Sequence, residues 1–123
     1  MGGVMKAKKD PLDKTHLTPR EKKAVTAFVR EIRNALSDGL VGVTLFGSKV
    51  RGDYGPDSDV DLLLVLRVKD RTAEGKIYTI LMDVELATDT LLSPIVYFRR
   101  QYERSKRLGS PFIKTVEAEG IAL

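Results

Sequence analysis

The chain has 123 residues, 42% of them hydrophobic and 31% charged, with no cysteine and a formal net charge of +4. That length suits one domain and that balance suits a folded core rather than a disordered chain. The composition excludes a disulfide framework or thiolate metal site, no apolar run approaches the ~20 residues of a bilayer span, and Met1 to Lys6 lacks the apolar segment of a secretory signal.

A cytoplasmic location is the default expectation, with no membrane contact. The basic excess is partly gathered in Lys6, Lys8, Lys9 and Lys14. It reads as a solvated tail, since a nucleic-acid binder usually shows a denser stripe.

Residues 1–17 show no periodicity and are expected to form a flexible N-terminal tail, ahead of a single domain over 18–123. Thr18 is placed to cap a helix, Pro19 fits its first position and Glu21 completes a capping box. Ala24, Val25, Phe28, Val29, Ile32 and Leu36 follow at spacings of three and four and make one apolar stripe. Gly39 is suited to the left-handed turn that ends such a helix. Leu40 to Phe46 predicts a first strand, and Val60 to Leu66 a second so apolar that both its faces must be covered. The polar stretch between them, with Gly52, Gly55 and Pro56, has room for one helical turn.

Thr72 to Ala87 predicts a helix with Ile77, Ile80, Leu81, Val84 and Ala87 on one face. Leu91 to Phe98 predicts a third strand, lying at a sheet edge or pairing irregularly near Pro94, which has no backbone donor. A short charged helix is expected over Arg99 to Arg107. Ser110-Pro111 opens a last helix that Gly120 closes, and Ile121 to Leu123 can add a few strand hydrogen bonds. The expected fold is of the α/β (α+β) class, a small mixed β-sheet with helices packed mainly on one face.

The informative stretch runs from Leu45 to Leu62. Gly47-Ser48 comes straight off the first strand, where a missing Cβ lets backbone amides approach a phosphate and the Ser48 hydroxyl adds a donor. Asp59 and Asp61 stand two residues apart at the start of the second strand, so both carboxylates leave one face. Two such carboxylates repel unless a cation lies between them, and Mg²⁺ prefers hard oxygen ligands of this kind. Taken singly, Gly-Ser is most often a turn and Asp-x-Asp a solvated strand start. Their combination in one strand-loop-strand unit is what points to chemistry, because burying Asp61 in so apolar a run is costly without a partner. No Gly-Lys-Ser/Thr follows the glycine, which excludes a Walker-type loop. His16, the single histidine, has no ligand-spaced companion and is expected to be solvated. Tyr97, Phe98 and Tyr102 fit core packing or an interface better than base stacking.

The pattern Gly47-Ser48-x-x-Arg51-Gly52 followed by Ser58-Asp59-x-Asp61-Leu62 resembles the signature of the minimal nucleotidyltransferases, in the DNA polymerase β-like superfamily. The resemblance extends more loosely from Thr18 to Leu123. It implies a polymerase β-like fold and transfer of a nucleoside monophosphate from ATP or another NTP, with release of pyrophosphate. It implies that Gly47 and Ser48, with Lys49 and Arg51 nearby, bind the triphosphate, and that Asp59 and Asp61 are the catalytic residues and hold the Mg²⁺ ions, expected as a pair. Lys49 stands where the family often has Arg. Arg51 can reach phosphate or the loop acids Asp53 and Asp57. Such enzymes carry a third carboxylate on the third strand, where this sequence has none. Asp89, just before that strand, is the nearest acid, and is expected to lie too far from the pair to complete it.

Two functions compete on this reading. One is an enzyme that transfers AMP or another nucleotide to a protein or small-molecule acceptor. The other is a weakly catalytic binding module, the antitoxin partner of a HEPN-domain protein, with Tyr97 to Leu108 as the contact. The sequence leaves the oligomeric state open.

Overall fold

The computed structural model describes residues 10–53, 55 and 58–123; the tail lysines Lys6, Lys8 and Lys9 and the loop acid Asp57 lie outside the described residues. The fold begins earlier than the sequence suggests. The Asp10 carboxylate accepts from the Leu12 N–H at 2.9 Å and starts a 3₁₀ turn over Pro11–Lys14. Leu12 and Leu17 are both buried in the main core. Residues 10–17 are therefore part of the packed domain, a correction to the boundary expected at Thr18. Two leucines with no helical or strand period around them give no periodic signal, yet each contributes roughly 1.5–3 kcal/mol when fully buried.

Helix α1 (Pro19–Leu36) starts as its sequence dictates. The Thr18 hydroxyl accepts from the Glu21 N–H at 3.1 Å, and the Glu21 carboxylate accepts from the Thr18 N–H at 2.9 Å. Its stripe of Ala24, Val25, Phe28 and Ile32 is fully buried. The chain leaves α1 with Ser37 at φ 44°, and Gly39 is not in the left-handed region. The helix ends at Leu36, three residues before the glycine, and the Ser37 N–H returns to the Arg33 carbonyl.

Strands β1 (Leu40–Phe46) and β2 (Val60–Leu66) pair antiparallel, with Phe46 opposite Asp61. Between them lies one helical turn, α2 (Ser48–Arg51). Helix α3 (Arg71–Thr88) is the crossover that lets β3 (Leu92–Phe98) lie parallel to β2. Its first turn is capped by Asp70, whose carboxylate accepts from the N–H groups of Thr72 and Ala73. Helices α4 (Arg99–Arg107) and α5 (Pro111–Glu119) follow, and β4 (Ile121–Ala122) returns antiparallel to β1. The sheet order is β3-β2-β1-β4, a mixed sheet in which β3 is an edge, as Pro94 requires.

The two long helices, α1 and α3, cover one face of the sheet. There Leu45, Leu62, Leu64 and Leu66 meet Phe28, Ile32 and Ile77 in the main core. Strand alternation sends Phe46, Asp61 and Leu63 to the opposite face. Leu63, Ile113 and Val116 are buried there outside the main core, with Phe46 set edge-on to Phe112 of α5 at 5.4 Å. That second layer explains why β2 is apolar on both sides. Among the described residues no helix is long and apolar enough to cross a membrane.

Candidate functional site

The strand-loop-strand unit brings Gly47 and Asp61 into direct apposition. Gly47 has φ 87° and ψ −159°, a conformation essentially reserved for glycine. A Cβ at Gly47 would overlap the Asp61 carboxylate oxygen Oδ2 and lie 3.2 Å from its Cγ. The glycine is thus required twice, by its backbone angles and by the acid laid over it. The Gly47 carbonyl accepts from the N–H groups of Val50 at 3.0 Å and Arg51 at 3.2 Å, and the Ser48 carbonyl from Gly52 at 2.7 Å. These bonds wind the single turn of α2 and put half-buried Ser48 directly after the glycine. The first turn of a helix leaves N–H groups without intrahelical acceptors.

The acids arrive from the other side of the loop. The Ser58 hydroxyl accepts from the Gly55 N–H at 2.9 Å, and the Ser58 N–H returns to the Gly55 carbonyl at 3.2 Å. This small turn delivers Asp59, which is exposed, and then Asp61, which is half-buried. Burial pushes the Asp61 carboxyl above its ordinary range, and the Asp59 charge pushes it further up; the Arg51 charge opposes both. The Asp61 carboxyl therefore resists ionisation while it lies buried beside the Asp59 charge.

The two basic residues expected on the triphosphate are placed differently. Lys49 is buried, and its ammonium lies 3.1 Å from the Glu21 carboxylate, itself little exposed. The same carboxylate caps α1, so the turn behind Gly47 is fastened to the helix start. The His16 N–H donates to the Lys49 carbonyl at 2.8 Å, and the His16 ring lies against Gly52. Three segments meet at that point. Arg51 is exposed and bonded to Asp53 at 3.1 Å and Glu119 at 3.2 Å, which raises its pKa. Of the loop acids it was expected to meet, Asp53 is one; Asp57 lies outside the described residues. Glu119, at the end of α5, carries no sequence signal, being 68 residues away.

A cavity of about 340 Å³ adjoins Asp59 and is lined by Arg20, Lys49, Ser58 and Asp89 among others. Asp89 ends α3 at φ 49°, and its carboxylate is 95% exposed and 3.4 Å from Arg20. Beside Asp61, in parallel register and on the same face, stands Ser93. Among the described residues no three histidine, cysteine or acidic groups converge as a metal site. The aromatic residues are used in packing: Tyr97 lies edge-on to Tyr102 at 6.2 Å and near-parallel to Phe112 at 6.0 Å, while Phe98 packs on the main core.

The arrangement suits a divalent cation carrying phosphates. Two hard carboxylates share one end of a strand, one already resisting ionisation, beside a turn whose backbone is open because a Cβ is missing.

The model of the nucleotidyltransferase domain family matches residues 29–122. A Methanocaldococcus jannaschii protein, provisionally named a protein adenylyltransferase, is 37% identical over 98 residues, covering 79% of this chain and 92% of its own length. Among solved structures, a provisionally named nucleotidyltransferase from Sulfolobus solfataricus superposes with a TM-score of 0.54 at 18% identity, covering 97% of this chain and 90% of that one; that likeness is one of fold. A toxin–antitoxin complex, MntA–HpeT, gives a TM-score of 0.48 at 18% identity over 77% of this chain and 68% of that one.

Proposed function

The chain belongs to the nucleotidyltransferase domain family and is an enzyme of that class, and from that premise we propose that it transfers AMP from Mg²⁺-ATP to a protein or small-molecule acceptor. In such a transfer an acceptor oxygen attacks the α-phosphorus, the bond from that phosphorus to the β-bridging oxygen breaks, and pyrophosphate leaves. The acceptor's proton passes to solvent. What supports AMP and a protein acceptor is the 37% identity to a relative named for protein adenylylation.

The observation that carries the reading is the Asp61 carboxylate lying over Gly47, with Asp59 near enough to raise it. Asp59 and Asp61 would hold Mg²⁺, expected as two ions; when bound, the metal neutralises charge on the phosphates and on the leaving group. The Gly47–Ser48 turn offers backbone amides and a hydroxyl to the triphosphate. Lys49, through Glu21, keeps that turn at a fixed place on α1. Arg51, held by Asp53 and Glu119, sets a positive charge beside Asp61. Positioning and neutralisation of this kind are the main contributions a protein makes to phosphoryl transfer.

Titration calorimetry with Mg²⁺-ATP tests the metal assignment. Asp59→Asn and Asp61→Asn are each expected to weaken the Mg²⁺-dependent affinity, and unchanged affinity in both refutes the assignment.

Ser93 beside Asp61 favours a second reading. With a serine where a third acid would stand, the chain could act mainly by binding a partner, expected from the family resemblance as a HEPN-type protein. Transfer of label from ATP to a co-purified partner decides for chemistry; a stable complex without label decides for binding.

A further inference from the structure

At the end of the sheet away from Asp61, the loop after β2 and the first turns of α4 enclose a cavity of about 460 Å³, lined by Arg67, Val68, Lys69, Phe98, Arg100 and Arg104, with Gln101. From Asp61 to Arg67 is six residues of extended chain, roughly 20 Å, so this cavity is separate from the nucleotide site. Its lining holds four cations and no acid. Among the described residues none of the four forms an ion pair: the Arg67 Nε donates to the Asp38 carbonyl at 2.8 Å, which leaves its charge uncompensated. The nearest acids in sequence are engaged elsewhere, Asp70 in capping α3 and Glu103 against Arg99 at 3.5 Å. Arg100 and Arg104 stand four apart on α4, so their guanidinium groups share one helix face.

The floor between these cations is apolar. Val68 is 64% exposed although it is a branched aliphatic residue, and Phe98, half-buried, closes the inner side. Like charges gathered round an exposed apolar residue are unfavourable for the isolated chain. They become favourable once carboxylates face the rim and an apolar side chain covers Val68. A phosphodiester strand would satisfy the cations but set its sugar–phosphate backbone against that floor. A protein segment satisfies both, with an apolar centre and a charged rim and with carboxylates matched to the guanidinium fork.

We propose that the Arg67–Lys69–Arg100–Arg104 cavity is a docking site for an acidic segment of a partner protein, anchored by an apolar side chain on Val68 and Phe98. The site stands whether or not the chain transfers AMP, and it would hold a partner at a point remote from the Asp59–Asp61 pair.

Fluorescence anisotropy tests it with a labelled short peptide of glutamates around a central leucine pair. The same peptide with glutamine for glutamate, and a short single-stranded RNA, form the comparison arms. The acidic peptide is expected to bind most tightly and to weaken as salt is added. Arg100→Glu/Arg104→Glu is expected to lower its affinity about tenfold or more, as is Val68→Asp by removing the anchor. Titration of the same variants with Mg²⁺-ATP is expected to match the parent, which separates this docking from the nucleotide site and shows that the variants are folded. Tighter binding of the RNA, equal binding of the glutamine peptide, or undiminished affinity in folded variants overturns the proposal.

Discussion

Gly47→Ala tests the site through a single methyl group. The native backbone at Gly47, φ 87° and ψ −159°, lies where residues with a Cβ cost about 1–3 kcal/mol. The added carbon would also overlap Asp61 Oδ2, so the Asp61 carboxylate must turn away from the position it holds over the turn. At ~2.1 cal/mol/K per residue for unfolding near 60 °C, a chain of 123 residues loses roughly 4 °C of Tm for each kcal/mol. The backbone cost alone therefore predicts a fall of about 4–12 °C, read by thermal denaturation, and the displaced carboxylate predicts weaker Mg²⁺-dependent ATP binding, read by calorimetry. Gly52→Ala is the matched control. Gly52 also has a positive φ, 93°, but the atoms its Cβ would meet belong to the His16 ring, at 2.8 Å from Nε2. Those atoms belong to a side chain and not to a carboxylate of the site. Gly52→Ala is expected to cost about 1–2 kcal/mol and to leave metal-dependent affinity unchanged. If Gly47→Ala binds Mg²⁺-ATP as the parent does, or if both variants lose binding equally, the pairing of Gly47 with Asp61 is not what shapes the site.

Two further outcomes follow from the acids. Asp61 carries a carboxyl raised by burial and by Asp59, so the folded protein releases that proton at a higher pH than the unfolded chain. The metal-free protein thus loses stability as pH rises through that range, and Asp61→Asn removes the loss. The variant's Tm should exceed the parent's at neutral pH and converge with it below the ordinary carboxylate pKa of about 3.9; a variant less stable than the parent at pH 7 without metal contradicts this. Asp89→Ala should leave nucleotidyl transfer nearly unchanged, because the Asp89 carboxylate turns to Arg20 and is 95% exposed; a fall of the 10²–10⁴-fold typical of a lost general base would show that it serves the reaction.

What the sequence disclosed and what it concealed divide along a physical line. Signals that act within a few residues were readable: the Thr18–Glu21 box, the Phe28–Ile32 stripe, the edge position of Pro94 and the apolar run of β2 each follow from local chemistry. The closeness of Gly47 to Asp61 was readable too, since both sit in one strand-loop-strand segment. Contacts made across the fold were not. That Lys49 turns inward to Glu21, that Arg51 reaches Glu119, and that Ser93 rather than an acid stands beside Asp61 depend on sheet register and helix docking. Leu12 and Leu17 were missed because burial of isolated residues before a helix leaves no period. The cationic cavity near Phe98 was concealed for the same reason, its lining coming from two segments some thirty residues apart.

The rims of the sheet have a consequence for how this chain behaves at high concentration. An open strand edge is a template on which another chain can add, growing a fibre. On one rim, β3 presents Pro94, which has no N–H to donate, in the middle of its run. On the other, β4 closes over Thr44 and Leu45, the Leu123 N–H reaches the Val43 carbonyl at 3.0 Å, and the Arg33 guanidinium holds the Leu123 carbonyl. The remaining stretch of β1 breaks register between Leu40 and Gly42. Among the described residues no rim offers a long, flat, unpaired ladder, which disfavours strand addition on both sides. Contacts between folded copies then fall to side chains and helices rather than to backbone ladders.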